Sequence, residues 1–171
     1  MAQFARPDSD VSTGSWSSTE VSFFDAVNES SPNDDTDYVS TSTDEDELIL
    51  TLTDVTDPTS SSEHILQFVA KASGSGAKEK AEMHLFQGST LIASTGALNI
   101  DRDSYQNIVY ILSVAEADSI TDYTNLILRM HVHVIGGGEE VRVTQMEFQI
   151  PDVSVSSGVE SHPNHLIAHS L

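Results

Sequence analysis

The sequence predicts an all-β protein, an antiparallel β-sandwich flanked by an extended N-terminal arm and a C-terminal tail. Three observations support this fold class. Apolar and polar residues alternate in short segments between residues 46 and 151, which is the period of half-buried strands. Turn-forming residues separate these segments, as in sandwiches. Only one segment, Ala115–Asp118, has the character of a helical turn.

Residues 1–45 are rich in Ser, Thr, Asp and Asn and have few aliphatic residues. Such a composition does not bury enough apolar area to offset its ordering entropy, so we predict an extended arm over residues 1–45. The sandwich follows over residues 46–151, and residues 152–171 are too few to fold alone and form a peripheral tail. Both flanking segments carry isolated apolar residues, which stabilise a structure only when they are buried. The predicted partner-binding anchors are Trp16, Phe23, Phe24, Tyr38, Leu166 and Ile167.

Seven or eight short strands are predicted within the sandwich, and seven of them have clear bounds set by loop signals. The segment Asn125–Ile135 alternates most clearly, so Leu128 and Met130 are expected to face the core and His131 to face solvent. In the last strand the apolar set changes parity at Thr144–Gln145, which predicts a β-bulge. The predicted strands are Glu47–Thr53, His64–Ala72, Lys80–Phe86, Thr90–Ser94, Tyr105–Val114, Asn125–Ile135 and Glu139–Ile150.

Charge and composition exclude several classes of function. The chain has 27 acidic and seven basic residues, a net charge of −20, which disfavours binding to nucleic acid or to anionic membranes. The absence of cysteine excludes disulfides and thiol catalysis. No apolar run approaches the roughly 18 residues of a membrane helix, so we expect a soluble protein assembled in the cytoplasm. The acidic surface either maintains solubility or complements a basic partner.

Two groups of histidines are candidate metal ligands. His131 and His133 stand two apart on one face of a strand, a spacing that could place both imidazoles on one metal. No third ligand can be assigned from the sequence, so the pair is interpreted as two polar residues on an outward face. The histidines of the tail are interpreted as contacts with partner side chains; they are His162, His165 and His169.

Other chemistry is weakly supported. Asp34, Asp35 and Asp37 could bind calcium, but they lack EF-hand spacing, and a solvated charge run or a partner-facing acidic patch is the alternative interpretation. The glycine-rich segment 74–78 precedes a strand where a phosphate loop needs a helix, and it is interpreted as a linker. No G-x-S-x-G motif is present. We therefore assign no catalytic, cofactor-binding or metal-binding residues and predict that the chain is not an enzyme.

Several motifs resemble those of small virion structural proteins of tailed bacteriophages. They are the run Arg6–Ser12, the triplet Gly14–Trp16, the acidic run Asp34–Val39, the strand containing His64, the hairpin Leu85–Ile92 and the strand pair Leu126–Pro151. The resemblance covers most of residues 6–151. It implies a jelly-roll-like sandwich and a structural role as a capsid decoration (cement) protein or a tail component. It transfers no catalytic residues.

The favoured function is therefore that of a decoration protein on the outer capsid surface. Its expected partners are the major capsid protein, contacted through the arms, and other copies of itself in a dimer or trimer, with no nucleic acid and no membrane. The alternative is a carbohydrate-binding or adhesin module displayed on a phage tail or capsid. A cellular sandwich from a halophile is a third interpretation. Aromatic residues available for a sugar platform are Trp16, Tyr105, Tyr110 and Tyr123.

Overall fold

The computed structural model describes residues 2–32, 34–74, 79–102, 104–134 and 139–153. These residues form two antiparallel β-sheets packed as a sandwich, so the predicted fold class is confirmed. The elements of the described residues, in chain order, are β1 (Ala2–Ala5), β2 (Pro7–Ser12), β3 (Ser17–Ser18), β4 (Val39–Thr41), β5 (Asp46–Leu52), β6 (Ile65–Ala72), β7 (Lys80–Gln87), β8 (Thr90–Ser94), β9 (Leu98–Asn99), β10 (Gln106–Ile111), α1 (Val114–Asp118), β11 (Leu126–His133) and β12 (Val141–Pro151).

Sheet 1 has the strand order β10–β6–β12–β4–β3, and β1 pairs with the far end of β12. The register of β12 against β6 shifts between Val143 and Gln145, which confirms the predicted β-bulge. A bulge adds one residue to a strand and therefore changes which residues face inward. Val143 before the shift and Met146 and Phe148 after it are all fully buried.

Sheet 2 has the order β2–β5–β11–β7–β8, and the short β9 also pairs with β7. Buried and partly exposed residues alternate along the whole of β11. Leu128 and Met130 are fully buried, as predicted, and His131 lies on the opposite face. Because successive side chains of a strand point to opposite faces, every second residue of β5, β11 and β7 faces outward.

The described part of residues 1–45 packs on the sandwich, which corrects the predicted extended arm. β1 pairs with β12 in sheet 1, and β2 pairs with β5 in sheet 2, so the chain joins both sheets within its first twelve residues. The composition of this segment favoured an unpacked arm because it offers little apolar area. Strand pairing satisfies backbone N–H and C=O groups, however, and needs no apolar side chains.

The described residues of the segment 19–38 also pack against β12. The Val27 carbonyl accepts a hydrogen bond from the Met146 N–H at 2.8 Å, between the parts of β12 that pair with β4 and β1. Nearby, burial of the Glu29 carboxyl, together with repulsion from Asp37 and Asp25, raises its pKa to about 7. This segment is thus part of the folded domain and not a separate extension.

The short helix α1, the one helix among the residues that the structure describes, confirms the predicted helical turn. Its N-terminus is a capping box, in which the Ser113 hydroxyl accepts from the Glu116 N–H and the Glu116 carboxylate accepts from the Ser113 N–H. No helix among the described residues has the length and apolar character needed to cross a membrane. Of the predicted tail, only Asp152 and Val153 are described; the predicted anchors Leu166 and Ile167 lie outside the described residues.

Candidate functional site

The outward face of sheet 2 combines histidines, carboxylates, an arginine and apolar side chains. The registers of β5 and β7 against the central strand β11 arrange these side chains in rows across three strands. The rows are Glu47–His131–Glu82, Ile49–Arg129–His84 and Thr51–Ile127–Phe86. One end of the face is therefore charged and the other is largely apolar.

At the charged end, Glu45 brings a further carboxylate to two histidines. Glu45 Oε1 lies 2.6 Å from His133 Nδ1, and Glu45 Oε2 lies 3.1 Å from His131 Nε2. On the far side of His131, Glu82 Oε1 lies 2.9 Å from Nδ1. The two imidazole rings are 4.6 Å apart between their centres. We call Glu45, His131, His133 and Glu82 the His–Glu cluster.

The turn between β4 and β5 holds Glu45 in place. Its φ of +57° lies in the left-handed region, which disfavours residues with a side chain. Both neighbours are fixed: the Asp44 carboxylate accepts from the Val134 N–H at 3.0 Å, and the buried Asp46 carboxylate accepts from the Ser15 N–H at 3.0 Å. A strained backbone that neighbouring contacts enforce is typical of functional sites.

The electrostatics of the cluster favour an ionised Glu45. Its hydrogen bond with His133, followed by the charge of the two imidazoles when they are protonated, holds the pKa of the carboxyl below its usual value. His84 lies beyond Glu82, with its Nε2 3.6 Å from Glu82 Oε1. Burial lowers the pKa of the His84 imidazole, and its Nδ1 has no hydrogen-bond partner among the described residues. Both observations favour the neutral form of His84.

The apolar end of the face contains a shallow groove. The Arg129 guanidinium lies over the Phe86 ring at 4.7 Å from its centre, and its Nη1 is 3.3 Å from Glu47 Oε1. Arg129 Nε is buried and has no hydrogen-bond partner among the described residues. The groove encloses about 260 Å³ and is lined by Ile49, Phe86, Gly88, Ser89, Ile127 and Arg129.

The four described residues among the predicted anchors contact this chain's own sandwich. Trp16 is 5% exposed and belongs to the hydrophobic core. Phe23 and Phe24 are partly buried against the same core. The Arg142 guanidinium lies over the Tyr38 ring, 4.6 Å from its centre. These side chains anchor the N-terminal segment intramolecularly, and binding of a partner by them stays a prediction.

The acidic run Asp34, Asp35 and Asp37 is directed toward cationic and polar side chains. Asp35 lies 2.8 Å from Lys71 Nζ and 3.3 Å from Arg142 Nη1, and the hydrogen bond from Lys71 lowers the pKa of its carboxyl. In the part of the chain that the structure describes, only one group of three or more His, Asp or Glu side chains is close enough to share a metal. That group is Glu45, His131 and His133.

Sequence reasoning found the two histidines and missed their carboxylate partners. Glu82 lies directly opposite His131 across the β7–β11 pair, and Glu45 continues the β5–β11 register toward His133. Glu45 stands in the acidic run Asp44–Glu47, whose carboxylates are oxygen ligands of the kind that metals bind. The register between β5 and β11 brings this run to the histidines, and these strands lie some 85 residues apart in the sequence. No local sequence pattern contains that register.

No known family model and no curated protein matches the chain. Solved structures with a similar fold include the CBM36-1 domain of a multidomain xylanase from the hindgut metagenome of Trinervitermes trinervoides (TM-score 0.47, 9% identity, 91% of this chain and 100% of that chain). The arabinose-bound α-L-arabinofuranosidase MgGH51 has TM-score 0.47 and 13% identity over 85% of this chain and 25% of that chain. The enzymatically active domain of tailspike protein 4 of Bacteriophage CBA120 has TM-score 0.44 and 13% identity over 86% of this chain and 19% of that chain. At these identities and TM-scores the likeness concerns the sandwich architecture alone.

Proposed function

We propose that this chain is a structural component of a tailed-phage particle, a capsid decoration protein that acts by binding neighbours and not by catalysis. The sequence resemblance over residues 6–151 supports the assignment to a phage particle. An exposed apolar edge strand supports a role in binding neighbouring chains. The proposal replaces the expected contact through an N-terminal arm, because the described part of that segment packs on its own sandwich.

The observation that carries this proposal is the edge strand β10. It is the outermost strand of sheet 1, and its outward-facing Val109 and Ile111 are 52% and 66% exposed. Ile111 stands opposite the partly buried Ile65 of β6, and the exposed Val114 follows in α1. Edge strands of soluble proteins are usually blunted by charge or proline. An apolar edge of this kind favours addition of a strand from another chain.

The occupant we infer for this edge is a second copy of the chain. Residues 106–114 carry no charge, whereas the whole chain carries a net charge of −20. The first carboxylate after this run, Glu116, accepts hydrogen bonds from the Ser113 hydroxyl and, at 2.8 Å, from the Tyr110 hydroxyl. Pairing of two copies along β10 therefore brings no charged side chain of this segment against its own counterpart. Antiparallel pairing of two β10 strands about a twofold axis would continue sheet 1 across the dimer.

The test is sedimentation velocity of the full chain over a concentration series. We expect the wild-type chain to associate, and the double variant Val109→Glu/Ile111→Glu to remain monomeric with an unchanged unfolding midpoint. Val21→Glu is the matched control, because Val21 is 99% exposed and lies away from β10. Raising salt from about 0.05 to 1 M should leave association unchanged or strengthen it, since it screens like charges. A wild-type chain that is monomeric throughout, or a variant that associates equally, contradicts the edge assignment.

The role in a particle requires a second experiment. Capsids purified from the phage that encodes the sequence should bind the chain in co-sedimentation, and the binding should be saturable. Binding should survive high salt if apolar and backbone contacts dominate, and be lost if the acidic surface alone holds the protein to a basic shell. Absence of binding to such capsids would contradict the decoration role and leave the dimer result standing separately.

A second candidate function is carbohydrate binding at the groove of sheet 2. The specific observation is the unpaired Arg129 Nε–H beside the Phe86 ring, since sugar sites combine apolar platforms with oriented polar groups. Affinity electrophoresis and a glycan array test it on the isolated chain. Binding that is lost in Phe86→Ala and retained in Ile111→Glu would favour this candidate. An isolated chain that retains no glycan would eliminate it.

A further inference from the structure

The His–Glu cluster has the donor set of a mononuclear transition-metal site. Two imidazoles and one carboxylate are ligands typical of zinc and of similar first-row divalent ions, whereas calcium and magnesium prefer oxygen ligands alone. One ligand atom from each of Glu45, His131 and His133 lies within 4.8 Å of the others. Tetrahedral zinc with bonds of about 2.0–2.1 Å places its ligand atoms about 3.4 Å apart. Side-chain shifts of the order of 1 Å would therefore close the site.

We propose that this cluster binds one zinc or similar divalent ion through His131 Nε2, His133 Nδ1 and the Glu45 carboxylate. The inference goes beyond the proposed function and does not depend on it. Two further observations support this site. One is the contact of Glu82 with His131, and the other is the backbone conformation of Glu45.

The first observation is Glu82. Its carboxylate faces His131 Nδ1 at 2.9 Å, on the side of the ring opposite Glu45. A carboxylate that accepts the proton of one ring nitrogen fixes the tautomer and directs the lone pair of the other nitrogen outward. Here the other nitrogen, Nε2, is the one that faces Glu45. Carboxylate–histidine pairs of this kind are the usual outer support of metal-ligating histidines.

The second observation is the enforced geometry of the turn. Glu45 keeps a left-handed φ at a position where Gly or Asn would be less strained. The contacts of Asp44 with Val134 and of Asp46 with Ser15 hold that turn against the end of β11. Ligands held on a rigid sheet and a fixed turn lose little entropy when the ion binds.

Three protein ligands leave one coordination position open. A cavity of about 390 Å³ adjoins two of the three ligands and is lined by Asp44, Glu45, Lys80, Ala97 and His133. Lys80 lines the same cavity, and its positive charge favours an anionic fourth ligand. A carboxylate from a neighbouring chain or a hydroxide from solvent has this chemistry.

The test is isothermal titration of the untagged full chain with zinc chloride, with calcium and magnesium chloride as separate titrations. We expect one zinc ion per chain and no competition by calcium or magnesium. The double variant His131→Gln/His133→Gln should lose the binding, and Glu45→Gln should weaken it at least 10-fold. Unfolding midpoints in EDTA should match the wild type, because these side chains lie on the outward face. Retention of one tight zinc ion by the double variant, or no zinc binding by the wild type, overturns the proposal.

The tail histidines provide the matched control, since they are also closely spaced in the sequence. The triple variant His162→Gln/His165→Gln/His169→Gln should keep the zinc affinity of the wild type. Loss of binding in the triple variant would assign the metal to the tail and overturn the proposal. The supporting role of Glu82 is tested by Glu82→Gln, which should weaken binding by about 10-fold. It should also shift the visible absorption bands of bound cobalt, which a merely structural role would leave unchanged.

Discussion

The replacement Trp16→Ala separates two roles for the N-terminal segment. If Trp16 is a core residue, as its 5% exposure indicates, the isolated chain should lose stability when the side chain is removed. If it serves only to anchor an arm on another protein, the isolated chain should be unaffected. Trp16 is the only tryptophan, so its fluorescence reports directly on this one site.

The expected loss of stability follows from the apolar area that Trp16 buries and from its unpaired hydrogen-bond donor. A buried aromatic side chain removes about 150–250 Å² from water, which at about 25 cal/mol per Å² corresponds to about 4–6 kcal/mol. The indole Nε1–H of Trp16 is buried without a hydrogen-bond partner among the described residues, which costs about 1–3 kcal/mol. We therefore expect Trp16→Ala to lower the free energy of unfolding by about 3 kcal/mol. Trp16→Phe keeps most of the apolar contact and removes the unpaired donor, so it should change stability by about 1 kcal/mol or less.

Urea unfolding of the dilute chain, followed by circular dichroism, measures these differences. The wild-type tryptophan emission should be blue-shifted in the native state and should move to the red within the same transition. Val21→Ala, at a 99% exposed position of the same segment, should change stability by about 0.5 kcal/mol or less. A Trp16→Ala chain as stable as the wild type, or a red-shifted native emission, would refute the packing of this segment on the sandwich.

Three further predictions concern the core, the pH dependence and a turn. Leu128→Ala should lower the free energy of unfolding by about 2–5 kcal/mol, and the neighbouring outward-facing Ile127→Ala by clearly less, in the same urea assay. The pKa of Glu29 is raised from 4.5 to about 7 in the folded state, so its contribution favours folding below pH 4.5 and is lost as pH rises through 7. Glu29→Gln should therefore flatten the pH profile of stability in this window. An identical slope in the variant would disprove the raised pKa of Glu29. Gly14→Ala should lower stability clearly more than Gly96→Ala, although both glycines have positive φ. A Cβ at position 14 would meet a backbone carbonyl at 2.7 Å, whereas one at position 96 would meet nothing within 4 Å. Equal shifts of the thermal unfolding midpoint would count against the turn geometry at Gly14.

The sequence by itself determined the features that depend on neighbouring residues. The alternation in Asn125–Ile135 identified the buried face of β11, because side chains of a strand point alternately to its two faces. The parity change at Thr144–Gln145 located the bulge for the same reason. The helix-like segment Ala115–Asp118 indicated the helical turn at α1, and the short turn between two predicted strands indicated the hairpin of β7 and β8.

Only the tertiary structure decided how distant segments pair. Composition assigned residues 1–45 to an arm, but pairing of β1 and β2 with strand edges depends on backbone groups that composition does not reveal. The His–Glu cluster likewise required the register that brings Glu45 and Glu82 to β11 from two other strands. Local patterns fix the direction in which a side chain points. Which residue lies beside it is set by contacts between positions far apart in the chain, and those contacts form only when the sheets assemble.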